Sequence, residues 1–183
     1  MAQALVLGVG NILVQDEGIG VRAVEWLQAH CVFPSVRQDN ILSDNGGRDS
    51  RSSAKQVALI DGGTMGLDLL HYLEGIDHLL ILDAVEAGKA PGEITSLTGE
   101  AVPAFLGMKL SPHQIGVQDL LATAQLMGYT PPEVVILGVQ PEQLSVGLEM
   151  SPVVTAQVEP LARLALSQLK KWGYQYQLVK NQE

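Results

Sequence analysis

Carboxylate side chains follow the main apolar runs of this sequence, and carboxylates both bind metal ions and transfer protons. Asp16 and Glu17 come after the first run, Asp61 and Asp83 directly follow the second and third, and Glu142 comes after the fourth. Each one alone has an ordinary structural explanation, because carboxylates are common in turns and at helix N-termini. Their repetition after successive apolar runs is what indicates a functional site.

The apolar runs are continuous rather than alternating, which is typical of strands covered on both faces. They lie at 4–8, 57–60, 78–82 and 133–138. Helical patterns lie between and after them, at about 18–30, 65–75, 113–127 and 152–172. This succession predicts an α/β fold with a mostly parallel sheet between helices, and the alternating residues 93–97 predict a short edge strand. Because ligand sites form beyond the carboxyl ends of parallel strands, we expect the carboxylates to converge at that edge.

The segment from Gly8 to Gly20 joins the first predicted strand to the first predicted helix. Gly8 and Gly10 allow a tight bend or a close approach of the backbone, since they have no Cβ. The pair also suggests a dinucleotide-binding turn, but the position of the third glycine of that motif is occupied by Leu13. A nucleotide-binding domain is therefore a weaker alternative.

His113 is the candidate nitrogen ligand. Ser111 and Gln114 have the spacing of a capping box, and Pro112 suits the first position of a helix. In the first helical turn the helix dipole favours a neutral imidazole, which can bind a metal, act as a base or have only a structural role. Two carboxylates and one imidazole at one edge would form an open site for a divalent transition metal.

The last helical pattern has clear end signals. Ser151 can cap its start, Pro152 suits its first position and Gly173 suits its end, while Pro160 should kink or split it. The predicted buried stripe consists of Leu161, Leu164, Ala165 and Leu169.

Length and composition predict a single domain over residues 1–183 that works in the cytoplasm. The net charge of -9 disfavours nucleic acids and anionic membrane surfaces. No apolar run reaches the roughly 20 residues that would allow membrane insertion. The one cysteine, Cys31, cannot form an internal disulfide, as expected in a reducing compartment. Residues 37–56 are polar and aperiodic, and predict a surface loop.

Five motifs resemble, in their order and spacing, those of the nickel–iron hydrogenase maturation endopeptidases. They are Gly8-Val9-Gly10-Asn11-Ile12-Leu13 with Asp16-Glu17, then Asp61-Gly62-Gly63-Thr64, Asp83-Ala84, Ser111-Pro112-His113-Gln114 and Gly138-Val139-Gln140-Pro141-Glu142. The resemblance covers roughly residues 3–172. It implies a three-layer α/β/α sandwich around a mostly parallel, twisted five-stranded sheet. The loop at 37–56 looks longer than in this family.

The resemblance also implies a peptide hydrolase that is aspartic-type or metal-dependent. Such an enzyme removes the C-terminal extension of the precursor of the hydrogenase large subunit after nickel insertion. Residues matching Glu17, Asp83 and His113 bind the metal and form the expected catalytic set, with Asp61 in a supporting role. The metal is expected to be the substrate's own nickel, and other divalent ions could substitute. The alternative is a non-enzymatic nickel-sensing or nickel-delivery chaperone that uses the same ligands.

Overall fold

A five-stranded sheet forms the centre of this computed structural model, which describes residues 3–34, 55–99, 101–102 and 112–179. The strands, in chain order, are β1 (Gln3–Val9), β2 (Cys31–Val32), β3 (Gln56–Gly63), β4 (His78–Ala84), β5 (Ile94–Thr98), β6 (Glu133–Val139) and β7 (Gln177–Leu178). The central sheet has the order β3-β1-β4-β6-β5, and β2 pairs with β7 in a separate two-stranded sheet. Most of the predicted loop at 37–56 lies outside the described residues.

The pairing confirms a mostly parallel sheet. β1 is parallel to both β3 and β4, and β4 is parallel to β6. β5 runs antiparallel to β6 at one edge, where residues 93–97 predict an edge strand. β3 forms the other edge and is buried only at Gly62, so the expectation of a strand covered on both faces is wrong for it.

Helices cover both faces of the sheet, as a three-layer sandwich requires. They are α1 (Ile19–His30), α2 (Pro112–Met127), α3 (Pro152–Thr155) and α4 (Val158–Lys171), with 3-10 helices at Gln15–Gly18 and Gly66–Tyr72. Alternate residues of β4 show the two layers. Leu80 and Leu82 belong to the core beneath α1 and α4, whereas Leu79 and Ile81 belong to the core beneath α2 and the second 3-10 helix.

The helix predicted at 65–75 is a 3-10 helix over Gly66–Tyr72. Gly66 and Gly75 have positive φ values, +53° and +74°, and interrupt right-handed helix at both ends of the pattern. 3-10 turns are frequent as connectors, although a run of seven residues is longer than usual. Leu69 and Leu73 still bury their side chains against the sheet, so the apolar spacing reflects the packing face.

The last helical pattern is divided at residues 156–157 into α3 and α4. Ser151 caps α3 by accepting the Val154 N–H, and Pro152 is its first residue, as predicted. Pro160 lies in the first turn of α4, where a missing N–H leaves no helical hydrogen bond unmade. Gly173, at φ +82°, follows the end of α4.

The prediction that Leu164 belongs to the buried stripe of α4 is wrong. Leu164 is 43% exposed. The buried residues of α4 are Leu161, Ala162, Ala165, Leu166 and Leu169. At 3.6 residues per turn these five form one face, and Leu164 lies well outside it.

Cys31 begins β2 and is a free, buried thiol, and its N–H closes α1 by donating to the Leu27 carbonyl. Within the described ranges, no helix combines the length and hydrophobicity needed to cross a bilayer. A cytoplasmic location stays a prediction from the sequence.

Candidate functional site

Glycines place the segment after β1 against the carboxyl edge of the sheet. Gly10 has φ +128°, and a Cβ at this position would lie 1.8 Å from the Glu17 carbonyl oxygen. A Cβ at Gly20 would lie 2.0 Å from the Leu82 carbonyl oxygen. Only glycine permits these approaches, so the 3-10 helix at Gln15–Gly18 packs directly on the end of the sheet.

Glu17 and Asp83 are both buried at this edge. Glu17 is 7% exposed within the 3-10 helix, and Asp83 is 4% exposed near the end of β4. The Ala84 N–H donates to the Asp83 Oδ1 at 2.7 Å. Carboxylates withdrawn from water gain stability from a cation or from hydrogen-bond donors. The fold therefore brings two of the three predicted metal ligands to the same edge.

His113 lies in the first turn of α2, which begins at Pro112 as predicted. An ideal Cβ on Gly116, one turn later, would lie 3.2 Å from the Cα of Gly66, just beyond the end of β3. The backbone of this turn is thus at the carboxyl edge as well. The His113 side chain and the whole of Ser111 lie outside the described residues, so the three-ligand set and the Ser111 cap stay predictions.

Across the described side chains, no group of three His, Cys, Asp or Glu is placed to hold a metal ion. The His113 side chain, the predicted third ligand, is not among the described side chains.

Asp61 is exposed at the carboxyl end of β3. Its Oδ1 accepts the N–H of Gly63 at 3.0 Å, which is the local hydrogen bond of a turn-forming aspartate. This contact accounts for the residue type at this position, and its supporting role in catalysis stays a prediction.

Asp16 has a role that its sequence position does not reveal. Its side chain is fully buried and accepts four hydrogen bonds. Oδ1 accepts the Ser151 N–H at 2.6 Å. Oδ2 accepts the Ser151 hydroxyl and the N–H groups of Glu142 and Gln143, each at 2.9 Å. Asp16 therefore fastens the loop after β6, and the start of α3, to the segment that carries Glu17.

Backbone hydrogen bonds also join the segment before Asp16 to the loop after β6. Val14 forms a parallel bridge with Gly147. The Gln15 N–H donates to the Gly147 carbonyl at 3.0 Å, and the Gly147 N–H donates to the Leu13 carbonyl at 2.9 Å. No local sequence pattern signals contacts between segments so far apart, so the sequence predicts for Asp16 only a place in the functional site or at a helix N-terminus.

Gln140 fixes the loop that leaves β4. Its Oε1 accepts the N–H groups of Ala87 and Lys89 at 2.9 and 3.2 Å. Asp83 is thereby followed by a loop tied to the end of β6.

An apolar cavity of about 390 Å³ lies elsewhere, against α2 and the start of β6. Its lining includes Val102, Gln118, Leu121 and Val134, and it does not include Glu17, Asp61 or Asp83. The candidate site is therefore the polar edge and not this cavity.

Comparison with known proteins gives a consistent result. The family model described as hydrogenase maturation protease matches residues 48–168. The chain is 39% identical over 173 residues to the hydrogenase expression/formation protein HupD of Rhodobacter capsulatus, covering 93% of this chain and 73% of that protein. It is 38% identical over 170 residues to the hydrogenase 2 maturation protease of Escherichia coli, covering 92% of each.

A solved structure agrees over nearly the whole chain. The hydrogenase maturating endopeptidase HybD from E. coli has a TM-score of 0.80 and 36% identity, with 96% of this chain and 97% of that chain covered.

Proposed function

This chain belongs to the hydrogenase maturation protease family, and from that premise we propose that it processes the precursor of a nickel–iron hydrogenase large subunit. In this proposal the chain acts as an endopeptidase and removes the C-terminal extension after nickel has been inserted. The observation that carries the proposal is the pair of buried carboxylates, Glu17 and Asp83, at one edge of the sheet. The first turn of α2, with His113, lies at the same edge.

The donor set suits the nickel that the substrate itself holds. Two carboxylate oxygens and one imidazole nitrogen form a mixed site appropriate for a divalent transition metal. We propose that Glu17, Asp83 and His113 complete the coordination of the substrate's nickel. Binding through the metal would orient the adjoining peptide at this edge, and would restrict cleavage to precursor that already contains nickel.

Hydrolysis then requires a water molecule and a group that takes its proton. A carboxylate at the carboxyl edge accepts that proton while the water oxygen attacks the peptide carbonyl carbon. The C–N bond breaks as the carboxylic acid so formed returns its proton to the leaving amine. Asp61 is proposed to position the substrate, since it is exposed beside the turn that follows β3.

The decisive experiment measures the intact mass of the large-subunit precursor from the same organism after incubation with this protein. The precursor is tested with and without nickel. We expect loss of a C-terminal peptide only from the nickel-loaded sample. Cleavage irrespective of nickel would contradict metal recognition. A stable nickel-dependent complex without cleavage would instead identify the non-enzymatic chaperone.

A further inference from the structure

Exposed aliphatic side chains gather on two segments next to Glu17. We call them the aliphatic surface. Its members are Ile12 (40% exposed), Leu13 (55%), Leu144 (39%), Val146 (91%) and Leu148 (69%). Large apolar groups in a contiguous exposed area are typical of surfaces that are covered in a complex.

The two segments are held together and to the candidate site. Residues on both sides of Val146 are fixed, because Gly147 pairs with Val14 and Gln15 and Asp16 accepts the Gln143 N–H. Asp16 directly precedes Glu17. The aliphatic surface is thus continuous with the segment that carries a proposed metal ligand, and it is organised before any partner arrives.

The two segments that form the aliphatic surface carry acidic side chains and no basic ones. Residues 2–21 and 114–162 contain no Lys, Arg or His. Glu142 and Glu149 are exposed on the segment that carries Leu144, Val146 and Leu148. A complementary partner would therefore present aliphatic side chains together with basic ones.

We infer that the aliphatic surface docks the precursor beside its scissile bond, and that it takes a segment with aliphatic side chains and at least one Lys or Arg. The inference rests on the proposed function, because the occupant is the protein that this chain would process. Adjacency to Glu17 requires the docked segment to lie close to the nickel-bearing end of the precursor. Docking of this kind would distinguish one precursor from another, whereas nickel alone could not.

The test uses Val146→Asp, with Leu126→Asp as the matched control. Leu126 is 88% exposed on α2 and lies outside the aliphatic surface, so both variants place a carboxylate at an open aliphatic position. Single-turnover cleavage of nickel-loaded precursor is followed at increasing enzyme concentration. We expect Val146→Asp to raise the half-saturating concentration about tenfold or more, with a smaller change in the maximal rate. Leu126→Asp should match the wild type.

The charge requirement is tested separately with Glu149→Lys, and Glu74→Lys is its control at an exposed site before β4. Glu149→Lys should raise the half-saturating enzyme concentration several-fold at low salt. The increase should be smaller at high salt, because salt screens the interaction between charges. If the two lysine variants had the same half-saturating concentration, the inference that the docked segment carries Lys or Arg would be wrong.

Cleavage by the wild-type enzyme distinguishes failure of the docking surface from failure of the proposed function. Cleavage by the wild type together with equal behaviour of Val146→Asp and Leu126→Asp would overturn the docking surface alone. Failure of the wild type to cleave nickel-loaded precursor would overturn the proposed function and the docking inference with it.

Discussion

At the scale of single residues, the acidic side chains of the carboxyl edge divide into different roles. Glu17 and Asp83 are buried at the edge, Asp16 is buried and accepts four hydrogen bonds, and Asp61 is exposed at the carboxyl end of β3. Residue type alone cannot assign these roles, because a carboxylate serves equally well as ligand, cap or turn former. Burial and partners separate them.

Substitution of the proposed ligands should abolish processing without unfolding the protein. We expect Glu17→Gln and Asp83→Asn to reduce cleavage by roughly a hundredfold or more, since each removes the negative charge of a proposed metal ligand and keeps the side-chain shape. His113→Ala should act in the same direction. Intact mass reports cleavage, and circular dichroism reports folding. Normal processing by all three folded variants would refute the assigned site.

Replacement of Asp16 should mainly affect stability. Asp16→Ala leaves the Ser151, Glu142 and Gln143 N–H groups without their acceptor, and we expect a loss of about 2–4 kcal/mol in the free energy of unfolding. Asp61→Ala is the control and should cost less than about 1 kcal/mol, because it removes one exposed hydrogen bond. Urea denaturation measures both. A similar cost for the two variants would contradict the fastening role of Asp16.

At the scale of elements, the sequence predicts the strands well, and its errors are informative. The continuous apolar runs at β1, β4 and β6 correspond to strands buried on both faces. The helical pattern at about 65–75 forms a 3-10 helix over Gly66–Tyr72, in which the spacing of Leu69 and Leu73 still buries one face. The sequence assigns Leu164 to the buried stripe because it lies three residues after Leu161. This spacing alone does not fix which side of a helix faces the core.

The turn before Glu17 depends on glycine at position 10. Gly10→Ala would place a Cβ against the Glu17 carbonyl oxygen at φ +128°. We expect a loss of about 2 kcal/mol or more in stability, with displacement of the 3-10 helix and reduced cleavage. The control is Gly88→Ala, whose φ is +69° with nothing within 4 Å of the added Cβ. It should cost about 1 kcal/mol and leave cleavage intact. Equal losses of stability in the two variants would show that the positive φ, and not the contact with the Glu17 carbonyl oxygen, determines the effect.

At the scale of the whole molecule, the amino edge of the sheet is connected to the segment after α4. The His78 Nδ1 lies 2.9 Å from the Tyr174 hydroxyl, and the Trp172 Nε1 donates to Glu133 at 2.6 Å. Burial, followed by the charge of Asp77, raises the pKa of Tyr174 from 10.0 to about 12. This polar cluster lies at the opposite end of the strands from the candidate site.

The raised pKa predicts a loss of stability in alkaline solution. Between pH 10 and about 12 the unfolded chain ionises Tyr174 while the folded protein keeps its proton, so stability falls as the pH rises. The slope from this residue should be at most about 1.4 kcal/mol per pH unit. Urea denaturation at pH 9 and pH 11 should show a smaller decrease for Tyr174→Phe than for the wild type. An identical decrease would show that Tyr174 is not the group responsible.

The separation of Asp16 from its partners has a consequence for synthesis of the chain. Glu142 and Ser151 follow Asp16 by 126 and 135 residues, so the ribosome must make most of the protein before the turn with Glu17 can reach its final position. Contacts between such distant segments form late in folding. A nascent chain that ends before Glu142 would thus lack the hydrogen bonds that hold Asp16, and the segment that carries Glu17, in place.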